Sequence, residues 1–346
     1  MNEGLSNVRW QPPENWLQVD TIDMHTGGEP LRIIVDGLPE IPGQTVLEKR
    51  RYFRKHLDHI RKALMWEPRG HADMYGAVLT APVTPDGHFG VFFMHNEGYS
   101  TMCGHAIIAL VKFALETGLV QYPKDGLIRI DAPPGRIDAF AEMKGNTVVK
   151  SSFHNVPSFV LLQDKTLDVP GLGNIRFDVA YGGTFYAFVD ANEIGLELVP
   201  QQISRIIDLG RKIKKAVVRN FDILHPFEAD LSFLYGTIFT GKPKDGKHHS
   251  RNVCVFANGE VDRSATGSGV SARAALHAVK DGLETGKKLV IESLIDTTMD
   301  VEIADITSFG PYSAVIPKVA GTAFFTGQHR FLIDPDDPLK EGFLIR

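Results

Sequence analysis

Met74-Tyr75-Gly76-Ala77-Val78-Leu79-Thr80 and Leu234-Tyr235-Gly236-Thr237-Ile238-Phe239-Thr240 decide how this chain folds. Each is a short apolar run opened by a Tyr-Gly pair, the pattern of a buried strand, and the second copies the first. Outward from them, both halves carry the same ordered features. Gly27-Gly28 precedes a run ending Ile33-Ile34-Val35-Asp36, and Gly182-Gly183 precedes Phe185-Tyr186-Ala187-Phe188-Val189-Asp190. A basic amphipathic helix follows in each, striped by Phe53, Leu57, Ile60 and Leu64 or by Ile203, Ile206, Ile213 and Val217. Beyond the copied stretches come a second apolar strand (Val91 to Met94; Val253 to Phe256) and a small-residue turn that opens a helix. Those turns are Thr101-Met102-Cys103-Gly104-His105 and Ser264-Ala265-Thr266-Gly267-Ser268-Gly269, with Cys103 28 residues after Tyr75 and Thr266 31 after Tyr235. Gly118-Leu119 and Gly282-Leu283 end the helices as glycine caps, and β-branched strands resume at Ile128 and Val290.

The chain therefore reads as one mixed α/β unit used twice. The helix from His105 to Leu115 is apolar nearly all round, which predicts strands wrapped about it. The alanine-rich helix from Ser271 to Lys280 suits equally close packing. The turn at Lys144-Gly145-Asn146 puts the expected boundary near it. One unit then spans 1–147, joined by about 328–346, and the other spans 148–327.

With 346 residues, the chain has room for two domains with sizeable cores. Hydrophobic residues at 43% and charged residues at 23% exclude a disordered or fibrous chain. A net charge of −5 argues against nucleic acid or an anionic membrane as partner. The start, Met1-Asn2-Glu3-Gly4, stays polar through Trp16 and does not read as a signal peptide. The apolar stretch from Ile107 to Leu115 is too short to span a bilayer. Two cysteines, Cys103 and Cys254, give no disulfide framework. The expected location is the cytoplasm, and a homodimer is compatible with the sequence.

Chemistry concentrates at the two helix starts. Each presents unpaired backbone N–H groups and the positive end of a helix dipole, and Gly104 and Gly267 let an anion approach closely. Facing units would hold a small carboxylate between them, with Cys103 on one side and Thr266 on the other. A helix start is also expected to lower the Cys103 thiol below its usual ~8.5. Other candidates carry less. Cys254 reads as a core strand residue. His56 and His59 lack further ligands for a metal. Lys49-Arg50-Arg51 reads as a solvated helix face, and His248-His249 as an exposed loop. Gly27-Gly28 forms no dinucleotide fingerprint.

Met102-Cys103-Gly104-His105 and Asp262-Arg263-Ser264-Ala265-Thr266-Gly267-Ser268-Gly269 resemble the two signature motifs of the proline racemase family. Met24-His25-Thr26-Gly27-Gly28-Glu29-Pro30 resembles its N-terminal motif. The resemblance runs across nearly the whole chain and implies a diaminopimelate epimerase-like fold. That fold has two pseudo-symmetric α/β units, each wrapping strands round a central helix, with the active site in the cleft between them. It also implies that the amides of Gly104, His105, Gly267 and Ser268 cradle a substrate carboxylate. Asp262 and the His105 side chain would meet the ring nitrogen of an imino acid.

Racemases and hydroxyproline epimerases of the family carry a cysteine in both motifs; here Thr266 stands in the second. A thiol near ~8.5 and an alcohol near roughly 15.7 differ by about 7 units. At about 1.36 kcal/mol per unit that is on the order of 10 kcal/mol, so two-sided proton exchange is disfavoured. The Cys-plus-Thr pairing is similar to that of enzymes that dehydrate trans-3-hydroxy-L-proline. It implies a cofactor-independent hydro-lyase: Cys103 accepts the α-proton, the 3-hydroxyl is lost, and Thr266 on the opposite face relays a proton. The product would be Δ1-pyrroline-2-carboxylate. Proline racemization, 4-hydroxyproline 2-epimerization and, more remotely, hydrolysis by a cysteine nucleophile remain as alternatives.

Overall fold

The computed structural model describes residues 10–345; the polar start at Met1–Gly4 lies outside them. The first half runs β1 (Leu17–Thr26), β2 (Glu29–Asp36), α1 (Val46–His56), α2 (Asp58–Met65), β3 (Tyr75–Thr80), β4 (Phe89–His95) and β5 (Gly98–Ser100). It continues through α3 (Gly104–Glu116), β6 (Ile128–Ala132), β7 (Gly135–Lys144) and β8 (Thr147–His154). Next come β9 (Ser158–Val169), β10 (Gly173–Tyr181), β11 (Phe185–Asp190), α4 (Ile203–Asn220), β12 (Leu234–Gly241), β13 (Ser250–Phe256) and β14 (Glu260–Val261). The chain closes with α5 (Gly267–Asp281), β15 (Leu289–Glu292), β16 (Thr298–Phe309), β17 (Tyr312–Gly321) and β18 (Ala323–Ile333).

Strand pairing repeats with the sequence. β2 lies parallel to β3, and β11 parallel to β12. β3 pairs antiparallel with β4, as β12 does with β13. β4 then takes β6 in parallel, as β13 takes β15. At the ends, β18 pairs with β1 and β9 with β10, so each set borrows a strand that is distant or adjacent in sequence. β8 pairs with β7 and also with β17, tying the two sets together.

α3 is buried because its sequence leaves it no polar face, and α5 is buried from Gly267 to Leu276. All residues of α3 from Gly104 to Ala114 are buried, and it packs on β1, β7 and β8. α5 packs on β9, β10, β16 and β17. A Cβ on its Gly269 would lie 2.4 Å from the Ile238 Cδ1, so any larger residue there would displace that side chain. Among the described residues, no helix is long and apolar enough to cross a membrane.

Two expectations need correction. The striped stretch from Phe53 to Leu64 is not one helix but two, broken at Leu57 (φ −125°, ψ 14°). Asp58 starts α2 while accepting the Tyr99 hydroxyl at 2.8 Å and Arg61 at 2.7 Å, and these tertiary bonds re-aim the second segment. The Lys49-Arg50-Arg51 run is not wholly solvated. Arg50 is buried and donates to the Ser100 carbonyl at 3.2 Å.

Candidate active site

The strand repeat brings the start of α3 against the start of α5. A Cβ on Gly104 would lie 2.5 Å from the Gly267 Cα, and one on Gly267 would lie 2.5 Å from the Gly104 Cα. Any side chain at either position would therefore drive the two helix ends apart. Neither Cys103 nor Thr266, the residues preceding the helices, caps its helix with its side chain. Two positive dipole ends and their free N–H groups thus converge, an arrangement that favours an anion.

Cys103, Gly104, His105, Asp262, Thr266, Gly267 and Ser268 all line one cavity at this junction. The free space is about 20 Å³, room for roughly one water molecule, so the cleft is closed. Cys103 Sγ lies 3.1 Å from His105 Nδ1. Burial pushes the Cys103 thiol well up, and Asp262 and Glu29 add to this; the Ala106 N–H and the Tyr75 hydroxyl act the other way. The expected lowering of this thiol is therefore not what the closed cavity gives, because desolvation outweighs the helix end. Burial lowers the His105 imidazole, against the pull of Asp262. Asp262 accepts the Ser264 N–H at 2.7 Å and so shapes the turn into α5. Ser268 Oγ meets the Tyr186 hydroxyl at 2.8 Å.

Sequence reasoning left other wall residues unassigned. Glu29, Tyr75, Tyr186 and Tyr235 line the same cavity. Tyr75 and Tyr235 are the repeated tyrosines of the two copied strands, a signal available in the sequence. Cys254 is a core strand residue as read, fully buried on β13, but it also lines the cavity as a neighbour of Thr266. Among the described residues, Glu29 Oε1, Tyr235 Oη and Thr266 Oγ1 are buried here without a hydrogen-bond partner. Buried polar atoms are seldom left so, and three at one junction mark a place built for a polar ligand. His56 and His59 lie away from the junction on α1 and α2, and the described residues hold no cluster of three metal-ligating side chains. His248 is not simply exposed: its Nδ1 lies 2.9 Å from Glu292.

The family model described as proline racemase matches residues 21–344. The chain belongs to the proline racemase family. It is 48% identical to the trans-3-hydroxy-L-proline dehydratase of Colwellia psychrerythraea, over 98% of this chain and 96% of that one. It is also 48% identical to the trans-3-hydroxy-L-proline dehydratase of Homo sapiens, over the whole of both chains. A solved protein of similar structure is a hydroxyproline epimerase from Agrobacterium vitis, with trans-4-hydroxy-L-proline bound. It has a TM-score of 0.91 and 26% identity, covering 96% of each chain. The epimerase-like fold of two α/β units is thus the fold of this family member.

Proposed function

We propose that this chain is a trans-3-hydroxy-L-proline dehydratase that works without a cofactor. The observation that carries the reading is the asymmetry of the cavity: one thiol, Cys103, and one alcohol, Thr266, stand at the two converging helix starts. Full-length identity of 48% to dehydratases of that name supports it.

In this scheme the substrate carboxylate sits on the amides of Gly104, His105, Gly267 and Ser268. Asp262 and the His105 ring meet the ring nitrogen. The cationic pyrrolidinium, brought beside Cys103, lowers the thiol that burial had raised, since an opposite charge favours the ionised form. The thiolate takes the α-proton, the 3-hydroxyl departs, and the enamine rearranges to Δ1-pyrroline-2-carboxylate. Thr266 presents a hydroxyl to the other face, too weak a base to attack Cα but able to relay a proton. The buried free cysteines fit a cytoplasmic location, which we include in the proposal. Two units, 1–147 with about 328–346 and 148–327, belong to the proposal, and the repeated strand order favours them.

Incubation in D2O with trans-3-hydroxy-L-proline, trans-4-hydroxy-L-proline and L-proline tests the reading. The first should yield a ketimine trapped by o-aminobenzaldehyde, and Cys103→Ala should abolish it. One feature favours a second reading, the Cys254 sulfur on the Thr266 side, which could serve two-sided exchange. Deuterium entering recovered L- and D-proline at comparable rates, lost in Cys254→Ser and without ketimine formation, would establish that reading instead.

A further inference from the structure

We propose that Glu29 is the general acid that protonates the departing 3-hydroxyl. The inference rests on the dehydratase reading and names a residue that reading leaves without a role.

The argument starts from stereochemistry. In trans-3-hydroxy-L-proline the carboxylate and the hydroxyl lie on opposite ring faces, so the α-hydrogen and the hydroxyl share one face. If Cys103 takes the α-hydrogen, the oxygen departs on the Cys103 side, away from Thr266. A hydroxide leaving a closed cavity needs a proton from an acid of the cavity wall other than Thr266.

Glu29 opens β2 at the tight turn from β1, where it pairs with Thr26. Thr26 in turn donates to the His105 carbonyl at 2.8 Å, which ties this turn to the start of α3. The Glu29 side chain is fully buried and lines the cavity with Cys103. Its Oε2 accepts the Arg263 N–H at 2.7 Å, while Oε1 has no partner among the described residues. That is the arrangement of a carboxylic acid whose carbonyl oxygen is held and whose O–H is free for a ligand. The Arg263 guanidinium pairs with Asp73 at 2.8 Å, and its charge also acts on Glu29. Burial, then the charge of Asp262, pushes the Glu29 carboxyl well above the usual range, against the pull of the Arg263 charge and N–H. The other acids of the wall are weaker donors: burial drives the phenols of Tyr75 and Tyr235 upward.

The step balances. The Cys103 thiolate accepts the α-proton, and the C–H electron pair forms the Cα=Cβ bond. The Cβ–O pair leaves with oxygen, Glu29 Oε1–H protonates it, and water is released. Glu29 is left as carboxylate and Cys103 as thiol, and exchange of one proton through solvent restores both.

The experiment compares leaving groups, because chloride departs without a proton. Glu29→Gln should slow dehydration of trans-3-hydroxy-L-proline by ~100-fold or more. It should eliminate chloride from trans-3-chloro-L-proline within about 3-fold of the wild type, while Cys103→Ala loses both. Wild-type protein inactive on the hydroxy substrate overturns the dehydratase reading and this one with it. Wild-type turnover combined with a Glu29→Gln protein that keeps dehydration, or loses both eliminations alike, overturns the Glu29 assignment alone. If Glu29→Gln fails to fold, judged by binding of pyrrole-2-carboxylate, the wild-type pH profiles decide. Hydroxyl elimination should fall on the alkaline side where chloride elimination does not, and identical profiles overturn the proposal.

Discussion

Thr266 shows what a single residue can bear. It is β-branched and buried, yet its φ of +67° lies in the left-handed range that suits glycine. Such a conformation costs on the order of 1–3 kcal/mol and persists only where its surroundings impose it. Here the Ser264 hydroxyl accepts the Thr266 N–H at 3.1 Å, and α5 begins immediately after. Thr266→Gly should remove that strain, offset in part by the ~0.5–1 kcal/mol entropic cost of glycine. The expected outcome is a melting temperature equal to or up to about 2–4 °C above wild type, with dehydration strongly reduced. A lower melting temperature with turnover intact, in calorimetry and ketimine assays, would contradict this account. The sequence revealed that a small hydroxyl residue replaces a cysteine here. It could not reveal the strain, because backbone angle is set by Asp262 and Ser264 contacts that a motif does not display. The Cys103 thiol has the same limitation: its helix end was legible, but the burial that outweighs it comes from side chains of both halves, remote in sequence.

Among the elements, strands and central helices were legible because their apolar periodicity carries the fold, as the wholly buried α3 demonstrates. What failed were the places where a tertiary partner decides. The break at Leu57 follows from Asp58 bonding Tyr99 and Arg61, and no local propensity announces it. The loop after β12, whose His248-His249 reads as exposed, is held in place by Glu292 on β15. That carboxylate accepts the N–H groups of Lys244 at 2.7 Å and Asp245 at 2.8 Å, and pairs with Arg251 at 2.7 Å. Burial alone would raise it; these bonds, with His248, prevail and hold it down to about 2, from an ordinary 4.5. A folded value below the unfolded one stabilises above the unfolded value and is lost as pH falls toward the folded one. The contribution is on the order of 3 kcal/mol at neutral pH. Glu292→Gln should therefore be less stable to urea by a gap that is flat from pH 8 to about pH 5 and narrows below pH 4.5. A gap unchanged at pH 3 would rule this out.

At the scale of the whole molecule, the duplication was readable because near-copied strands reappear in the same order, and it delivers two helix ends to one point. How the halves are held shut was not readable, since the contacts join residues remote in sequence. Arg51 of α1 pairs with Asp230 at 2.6 Å and with Glu228 at 3.2 Å, two acidic residues of the segment between α4 and β12. Arg263 and the Asp73 carboxylate add a further bridge at 2.8 Å. A cavity of about 20 Å³ is too small for an imino acid, so the halves must part to admit one, and these pairs link residues of the two halves. The Arg51 pairs are half-exposed, so each contributes roughly 0.2–1 kcal/mol and is weakened by salt. Removing them should favour the open form without unfolding either half. In Arg51→Ala, iodoacetamide should alkylate Cys103 up to about 5-fold faster than in wild type, the factor corresponding to ~1 kcal/mol. Raising the salt concentration should speed wild-type labelling toward the variant's rate while leaving the variant nearly unchanged. Equal labelling rates for the two proteins at low salt would mean that the Arg51 pairs do not hold the cleft closed.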